Sequence, residues 1–179
     1  MLKNQKAFTL IELMVTISVL GVVIALAVPS FNTMIVNNRS ATLGEEFASV
    51  INYARSESIK RGVRITLCAS KDGLTCGSGD TWVDGYMAFG DNAITDKAGV
   101  PIIGPILKVW DKPNEQSVMT VKSGSVDIKF LRFTALGTLA RVNPDPVDIN
   151  ISLKKCTGDA ARKISVGLSG MVSVERTGC

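Results

Sequence analysis

The sequence contains no histidine among its 179 residues. That absence excludes Ser-His-Asp and Cys-His nucleophiles, histidine acid–base catalysis and histidine-ligated zinc. The cysteines include no C-x-x-C pair, so neither a zinc site nor a thioredoxin-like site is expected. We therefore expect no enzymatic activity, no cofactor and no metal.

A large excess of one charge is also missing. The chain carries 20 Lys and Arg against 16 Asp and Glu, a formal net charge of +4. This balance is too weakly basic to indicate nucleic-acid binding by itself. Once a membrane-length helix is set aside, about 150 residues remain, which suffices for one hydrophobic core but hardly for two domains.

Four cysteines are present, and all of them lie beyond the apolar N-terminal segment. An even number in that position is typical of disulfides in an oxidising compartment, with buried free thiols as the alternative. Three connectivities are possible, and we favour Cys68–Cys76 with Cys156–Cys179. Each of these pairs encloses a glycine-containing, turn-rich stretch that a local chain reversal can close.

The longest apolar run extends from Phe8 to Val28. As a helix it would be about 30 Å long, which matches the hydrocarbon thickness of a bilayer. The leader MLKNQKA precedes it, and its lysines place the leader in the cytoplasm. The run is too long for a secretory signal peptide, and Pro29-Ser30-Phe31 follows it in place of an A-x-A cleavage site.

Glu12 is the only charged residue within this run. A carboxylate at membrane depth costs about 2 kcal/mol or more unless it is paired, so a functional role is favoured. The alternative is a glutamate that snorkels to the cytoplasmic interface. Gly21 and Pro29 both weaken a helix, and Pro29 removes one backbone hydrogen bond.

The stretch AFTLIELMVTISVLGVVIALAVPSF resembles the N-terminal signature of type IV pilins and of the pseudopilins of type II secretion. The resemblance implies that a prepilin peptidase cuts between Ala7 and Phe8 and that the new N-terminus is methylated, although the family usually has glycine where this chain has Ala7. It also implies that Glu12 pairs with the Phe8 amine of a neighbouring subunit. Between positions such as Gly21 and Pro29 the helix of related pilins unwinds inside the fibre, whereas a simple kink is the alternative.

From Ser40 to Arg61 the apolar residues recur at helical spacing, and Gly62 follows as a stop signal. We predict one nearly continuous helix from Phe8 to about Arg61. The predicted fold class is α+β: a long N-terminal helix, with a membrane half and an amphipathic half, packed on a C-terminal antiparallel β-sheet domain. The predicted segments are a leader (1–7), a transmembrane or filament-core helix (8–28), its amphipathic continuation (29–61) and a globular β-rich domain (62–179).

Short alternating runs punctuated by Gly, Pro, Asp and Asn follow Gly62 and predict strands. The predicted strands are Arg64–Ala69, Tyr86–Gly90, Ile106–Trp110, Val118–Lys122, Val126–Phe133, Ile149–Leu153, Lys163–Leu168 and Met171–Glu175. Three aromatic residues of this part, Trp82, Tyr86 and Phe89, are expected to pack in the core against the helix.

Several stretches of this part resemble the FimT/FimU/GspH group of minor pilins and a minor pseudopilin: ARSESIKRGVRITLCAS, CGSGDTWVDGYMAFGDNA, ILKVW, FTALG and RKISVGLSG. The resemblance implies a minor type IV pilin in a priming complex at the filament tip, or else a minor pseudopilin at the tip of a type II secretion pseudopilus. The implied partners are other minor and major pilins, the prepilin peptidase and the inner membrane. The implied location is the inner membrane with a periplasmic domain, then the extracellular pilus, at its tip.

A third interpretation is DNA binding for natural transformation. Some FimT-type proteins bind DNA through a C-terminal G-R-x-R motif, and the matching position here reads Gly170-Met171-Val172-Ser173, without either arginine. Five other cations are candidates for phosphate contacts, with a scattered solvated surface as the alternative: Lys154, Lys155, Arg162, Lys163 and Arg176.

A calcium site is a further candidate, because Asp91, Asn92 and Asp96 cluster in one predicted loop. Hard oxygen ligands suit Ca²⁺, but the spacing does not follow an EF-hand. Loops rich in Asp and Asn are more often turns, which is the interpretation we favour.

Overall fold

The computed structural model describes residues 8–77, 81–140, 142 and 145–179. The predicted leader (1–7), and with it Ala7 of the predicted cleavage site, lies outside the described residues. The chain forms two compact units, one ending at Ile35 and the other running from Val36 to Cys179. One 52-residue helix, α1 (Leu10–Arg61), contributes to both.

The first unit contains the apolar half of α1. Its side chains are exposed almost throughout, and the helix is long and apolar enough to cross a membrane. The hydroxyls of Thr16 and Ser18 donate to carbonyls of the preceding turn, at 2.8 Å in both cases. These bonds satisfy the two hydroxyls within the helix, so that neither hydroxyl lacks a hydrogen-bond partner in an apolar environment.

The second half of α1 belongs to the core of the second unit. Its buried residues recur every three or four positions and therefore share one face: Ser40, Leu43, Gly44, Phe47, Ala48, Val50, Ile51, Ala54, Glu57 and Ser58. Gly62 ends the helix with a φ of +64°, and its amide donates to the carbonyl of Ser58 at 3.0 Å. The predicted long helix is confirmed, although it begins at Leu10 rather than at Phe8.

The described residues form nine strands in two antiparallel sheets. The strands are β1 (Ile65–Ala69), β2 (Tyr86–Asp91), β3 (Ile103–Trp110), β4 (Ser117–Ser123), β5 (Val126–Asp127), β6 (Phe130–Phe133), β7 (Val147–Leu153), β8 (Ala161–Val166) and β9 (Val172–Thr177). One sheet has the order β3-β2-β1-β6 and the other has the order β5-β4-β7-β8-β9. The predicted α+β fold, with a long helix packed on antiparallel sheets, is confirmed.

The prediction of a single strand over Val126–Phe133 is wrong, because this segment passes from one sheet to the other. β5 pairs with β4, whereas β6 pairs with β1. Ile128, between them, is held by its backbone: its amide donates to the Val121 carbonyl at 3.0 Å, and its carbonyl accepts the Trp82 indole at 3.1 Å. The alternation of apolar residues continues through the crossover, so periodicity could not reveal it.

One hydrophobic core joins the second half of α1 to both sheets. Phe47 is fully buried at its centre, with its ring edge-on to Tyr86 (centroids 5.0 Å apart) and to Trp82 (5.9 Å). Such edge-to-face pairs stabilise beyond simple burial by about 0.5–1.5 kcal/mol each. Trp82 and Tyr86 are buried in this core, as predicted, whereas Phe89 is buried in a second, smaller cluster with Cys68 and Met87.

Gly44 lies where α1 and β8 are closest. A Cβ at this position would stand 2.4 Å from the Cβ of Arg162, which cannot move without its backbone. Alanine normally stabilises a helix interior by about 1 kcal/mol relative to glycine. At this contact we expect the opposite, because the added methyl group would overpack the space against Arg162 and so destabilise the fold.

We predict that Gly44→Ala lowers the free energy of unfolding of the second unit by about 1–3 kcal/mol. The measurement is denaturant unfolding of the full chain in detergent, followed by tryptophan fluorescence. Gly21→Ala is the matched control, because a Cβ there meets nothing within 4 Å and should leave that transition unchanged. A Gly44→Ala protein as stable as the parent would contradict the tight contact.

Candidate assembly surfaces

The start of α1 has the sequence of a capping box, which the sequence analysis missed, and the structure shows the Thr9 half of it. The Glu12 amide donates to the Thr9 hydroxyl at 3.3 Å, and the Leu13 amide donates to the Thr9 carbonyl at 3.2 Å. Thr9-Leu10-Ile11-Glu12 matches the S/T-x-x-E spacing of this motif, which is the signal that could have identified it. Glu12 also lies in the first turn, where the helix dipole favours a negative charge.

Phe8 and Glu12 lie within one turn of each other at this helix start. Phe8 is 81% exposed, and in the described part of the chain no cation forms an ion pair with Glu12. The amine proposed to pair with Glu12 exists only after cleavage before Phe8. The pairing between subunits therefore stays a prediction.

Gly21 and Pro29 both lie inside α1, which continues through them without interruption. Pro29 has no amide hydrogen, so the carbonyl one turn earlier loses its helical partner. The Thr33 hydroxyl donates to the Pro29 carbonyl at 3.2 Å. In the isolated subunit this stretch is helical, and its unwinding in a fibre stays a prediction.

The cysteines form two disulfides, Cys68–Cys76 and Cys156–Cys179, which are the pairs favoured from the sequence. Cys68 is buried beside Met87 and Phe89, below the loop that follows β1. The second disulfide joins the segment after β9 to the turn between β7 and β8. Each bond therefore closes a surface connection of the second unit.

The structure does not gather the five candidate DNA contacts into one patch. Lys154 and Lys155 lie in the turn after β7, whereas Arg162 and Lys163 are neighbours on β8 and point to opposite faces of the sheet. Arg176 is the cross-strand partner of Arg162, so it shares that residue's face.

Two of these five cations are also neutralised by carboxylates. Arg162 is nearly buried, and its Nε lies 3.1 Å from Glu45 of α1. Lys163 Nζ lies 3.3 Å from Asp148 on β7. The arrangement resembles the scattered surface named as the alternative, and DNA binding gains no support from it.

The carboxylate of Asp91 is buried and accepts four hydrogen bonds, two on each oxygen. Its Oδ1 accepts the amides of Ala93 and Ile102, both at 2.9 Å. Its Oδ2 accepts the Thr66 hydroxyl and Arg132 Nε, both at 2.7 Å. Because donors of the protein occupy both oxygens, the loop is the turn that we favoured rather than a cation site.

Arg132 is the other half of this network, and sequence reasoning missed it. Its side chain is fully buried. Its remaining nitrogens donate to the carbonyls of Asp96, Ala98 and Val100 at 2.6–3.3 Å. Leu131 and Phe133 of the strand FLRF face the core, so Arg132 lies on the opposite face of the sheet, where residue spacing does not signal burial. The pair holds the loop between β2 and β3 against the sheet.

The environment of Asp91 shifts its pKa. Burial raises the pKa, but hydrogen bonds from Thr66, the Ile102 and Ala93 amides and Arg132 together outweigh it, and the net pKa lies below the ordinary value. The folded protein therefore holds this carboxyl ionised at pH values where the unfolded chain begins to bind a proton. Its stabilising effect is complete above about pH 4 and is lost as the pH falls through the lowered pKa of the folded state.

We predict that Asp91→Asn lowers the free energy of unfolding by about 3 kcal/mol at neutral pH, because Arg132 is left buried without a counter-charge. The difference from the parent should shrink as the pH falls from about 5 to about 2, since the parent then protonates Asp91. Urea unfolding of the full chain at a series of pH values measures this. Asp148→Asn, which removes an exposed partner of Lys163, is the control and should cost under about 1 kcal/mol. A difference that does not change with pH would contradict the assignment.

Comparison of the sequence with protein families gives two matches, which cover separate parts of the chain. Residues 43–170 match the family described as type II transport protein GspH, and residues 2–28 match the prokaryotic N-terminal methylation motif. The type IV major fimbrial protein FimA of Dichelobacter nodosus is 30% identical over 97 residues, which are 54% of this chain and 60% of that protein. The match thus spans about three-fifths of the length of the fimbrial protein.

Solved structures have a similar fold. The type IV minor pilin FimU of Pseudomonas aeruginosa matches with a TM-score of 0.57 and 26% identity, covering 77% of this chain and 89% of that one. The minor pseudopilin EpsH of the Vibrio cholerae type 2 secretion system matches with a TM-score of 0.50 and 12% identity, covering 76% and 97%. At 12% identity, the similarity to EpsH concerns the fold alone.

Proposed function

Since the chain belongs to the GspH family of type II transport proteins, we propose that it is a minor type IV pilin, a structural subunit of a filament-tip priming complex needed for pilus assembly. The observation that supports this most is the likeness to the minor pilin FimU, which covers 89% of that chain. The work of such a subunit is oligomerisation rather than catalysis. Its partners would be other minor pilins and the major pilin.

The proposed life cycle begins in the inner membrane. The apolar half of α1 anchors the chain there, with the second unit in the periplasm, and the prepilin peptidase cuts between Ala7 and Phe8. The match to the N-terminal methylation motif supports this processing. The protein then enters the extracellular pilus, at or near its tip.

In this proposal Glu12 fixes the axial position of the subunit. Cleavage leaves an ammonium on Phe8, and methylation of an amine preserves its charge. In an apolar surrounding, an unpaired carboxylate costs several kcal/mol, so a register that brings Glu12 to the Phe8 amine of a neighbour is favoured. The Thr9 hydroxyl caps the helix at this end and keeps Glu12 in its first turn, four residues after Phe8.

We predict that Glu12→Gln leaves membrane insertion intact and lowers incorporation into filaments by about tenfold, equivalent to about 1.4 kcal/mol. Glutamine is chosen because it keeps the size and one side-chain oxygen of glutamate while removing the charge. Incorporation is measured by immunoblotting of sheared filaments against the membrane fraction. Glu46→Gln, an exposed glutamate in the second half of α1, is the matched control. Undiminished incorporation of Glu12→Gln would rule out the charge pairing.

The processing step has its own test. Mass spectrometry of the membrane-bound protein should find an N-terminus at Phe8 carrying a methyl group, and crosslinking in cells should join it to other pilin-like subunits. Ala7→Gly should be cleaved at least as fast as the parent. An intact Met1 with no pilin partner would instead indicate a membrane-anchored domain that is never assembled.

The second candidate is a minor pseudopilin of type II secretion, which the description of the matching family favours. The two candidates differ in the phenotype of a deletion strain. Loss of surface pili with normal protein secretion supports the pilin. Loss of secretion with normal pili supports the pseudopilin.

A further inference from the structure

Four exposed apolar side chains surround the C-terminal end of α1: Ile59, Val63, Leu136 and Met171, here called the helix-end patch. Leu136 is 83% exposed and Met171 is 67% exposed, each at the tip of a turn. Val63 and Leu136 line one cavity of about 650 Å³, and a Cβ on Gly137 would stand 2.5 Å from the Ile59 side chain. The four residues therefore form one surface.

The turn that presents Leu136 is held firmly by hydrogen bonds. Thr134 and Thr138 are joined by a backbone bond of 2.9 Å and a hydroxyl pair at 2.7 Å, and the Leu136 amide donates to the Thr134 hydroxyl at 3.3 Å. Gly137 closes the turn with a φ of +75°. Leu136 thus projects from a rigid turn rather than from a loose loop.

The turn that presents Met171 is equally constrained and is joined to the first. The Gly167 amide donates to the Met171 carbonyl at 2.9 Å, and Gly170 has a φ of +78°. Arg55 of α1 donates to Gly137 at 3.1 Å and to Ser169 at 3.5 Å, one carbonyl in each turn. A surface ordered before any partner arrives loses little conformational entropy on binding.

The charges around the patch are mostly positive. Lys60 and Arg61 share one carboxylate, Glu57, and Arg64 is paired with Asp96. Arg55 directs its hydrogen bonds to carbonyls rather than to a carboxylate. Cations therefore exceed carboxylates among these side chains, and an acidic partner is the one that this rim attracts.

We propose that the helix-end patch docks the globular domain of a different filament subunit, through an apolar segment flanked by aspartate or glutamate. Apolar side chains of that segment cover Leu136 and Met171, while its carboxylates face Lys60 and Arg61. A second copy of this chain fits poorly, because a symmetric contact would bring two basic rims together. This inference rests on the proposed role as a filament subunit and specifies which surface of the subunit meets its neighbour.

The test uses the full chain in cells that assemble the filament. The photo-crosslinking residue p-benzoylphenylalanine replaces Leu136 or Met171, and adducts are identified by mass spectrometry. Leu74, which is 65% exposed in the loop after β1, is the matched position away from the patch. Val15, in the apolar half of α1, reports assembly itself.

We expect positions 136 and 171 to crosslink to another pilin-like subunit, next to an acidic residue, and position 74 to give no such adduct. Lys60→Glu should lower the yield at position 136 by about fivefold, which corresponds to about 1 kcal/mol, whereas Lys129→Glu should not change it. Adducts with a second copy of this chain, adducts that nuclease removes, or equal effects of the two charge reversals would overturn the proposal. If position 15 forms adducts with pilins while positions 136 and 171 form none, the patch fails and the proposed function stands. If position 15 also forms no adducts with pilins, the results contradict both the docking patch and the proposed function.

Discussion

The contact between the second half of α1 and the two sheets is the interaction on which the rest of the second unit depends. Both sheets direct buried residues to the core that Phe47 and Ile51 of α1 fill. Sheets and helices become stable only when their apolar faces are covered in this way. The close approach at Gly44 allows Arg162 of β8 to lie against the helix and to reach Glu45.

The first half of the same helix has a surface suited to apolar surroundings rather than to water. From Phe8 to Val28 its surface is apolar, and its hydroxyls are turned back onto the helix. Side chains such as Leu20 and Leu26 are exposed, and none of the described residues buries them. In the proposed life cycle, lipid covers them before assembly and the helices of other subunits cover them afterwards.

Periodicity predicted α1 to within two residues at its start, because apolar spacing and the glycine that ends the helix are local signals. The strands were predicted for the same reason, with ends displaced by up to three residues, as at the start of β3. The exception is the run that β5 and β6 share, which was predicted as one strand. The Arg132–Asp91 pair, the contact at Gly44 and the meeting of the turns at Gly137 and Gly170 were not predicted. Each depends on which strands become neighbours, and residue spacing alone does not contain that information. Thr9 is different, since its capping box was readable in the sequence.

The carboxylates of this chain differ in where their partners come from. Asp91 is buried and finds all four donors in its own domain, so it stabilises the fold and leaves nothing for an outside ligand. Glu45 meets Arg162 across the helix–sheet contact. For Glu12 the described residues offer the favourable end of the helix dipole, but they supply no counter-ion. A charge in an apolar surrounding is costly without a counter-ion, and in the proposed pairing the Phe8 amine of a neighbouring subunit supplies it. At the C-terminal end of α1, the excess of cations likewise favours binding to an acidic neighbour.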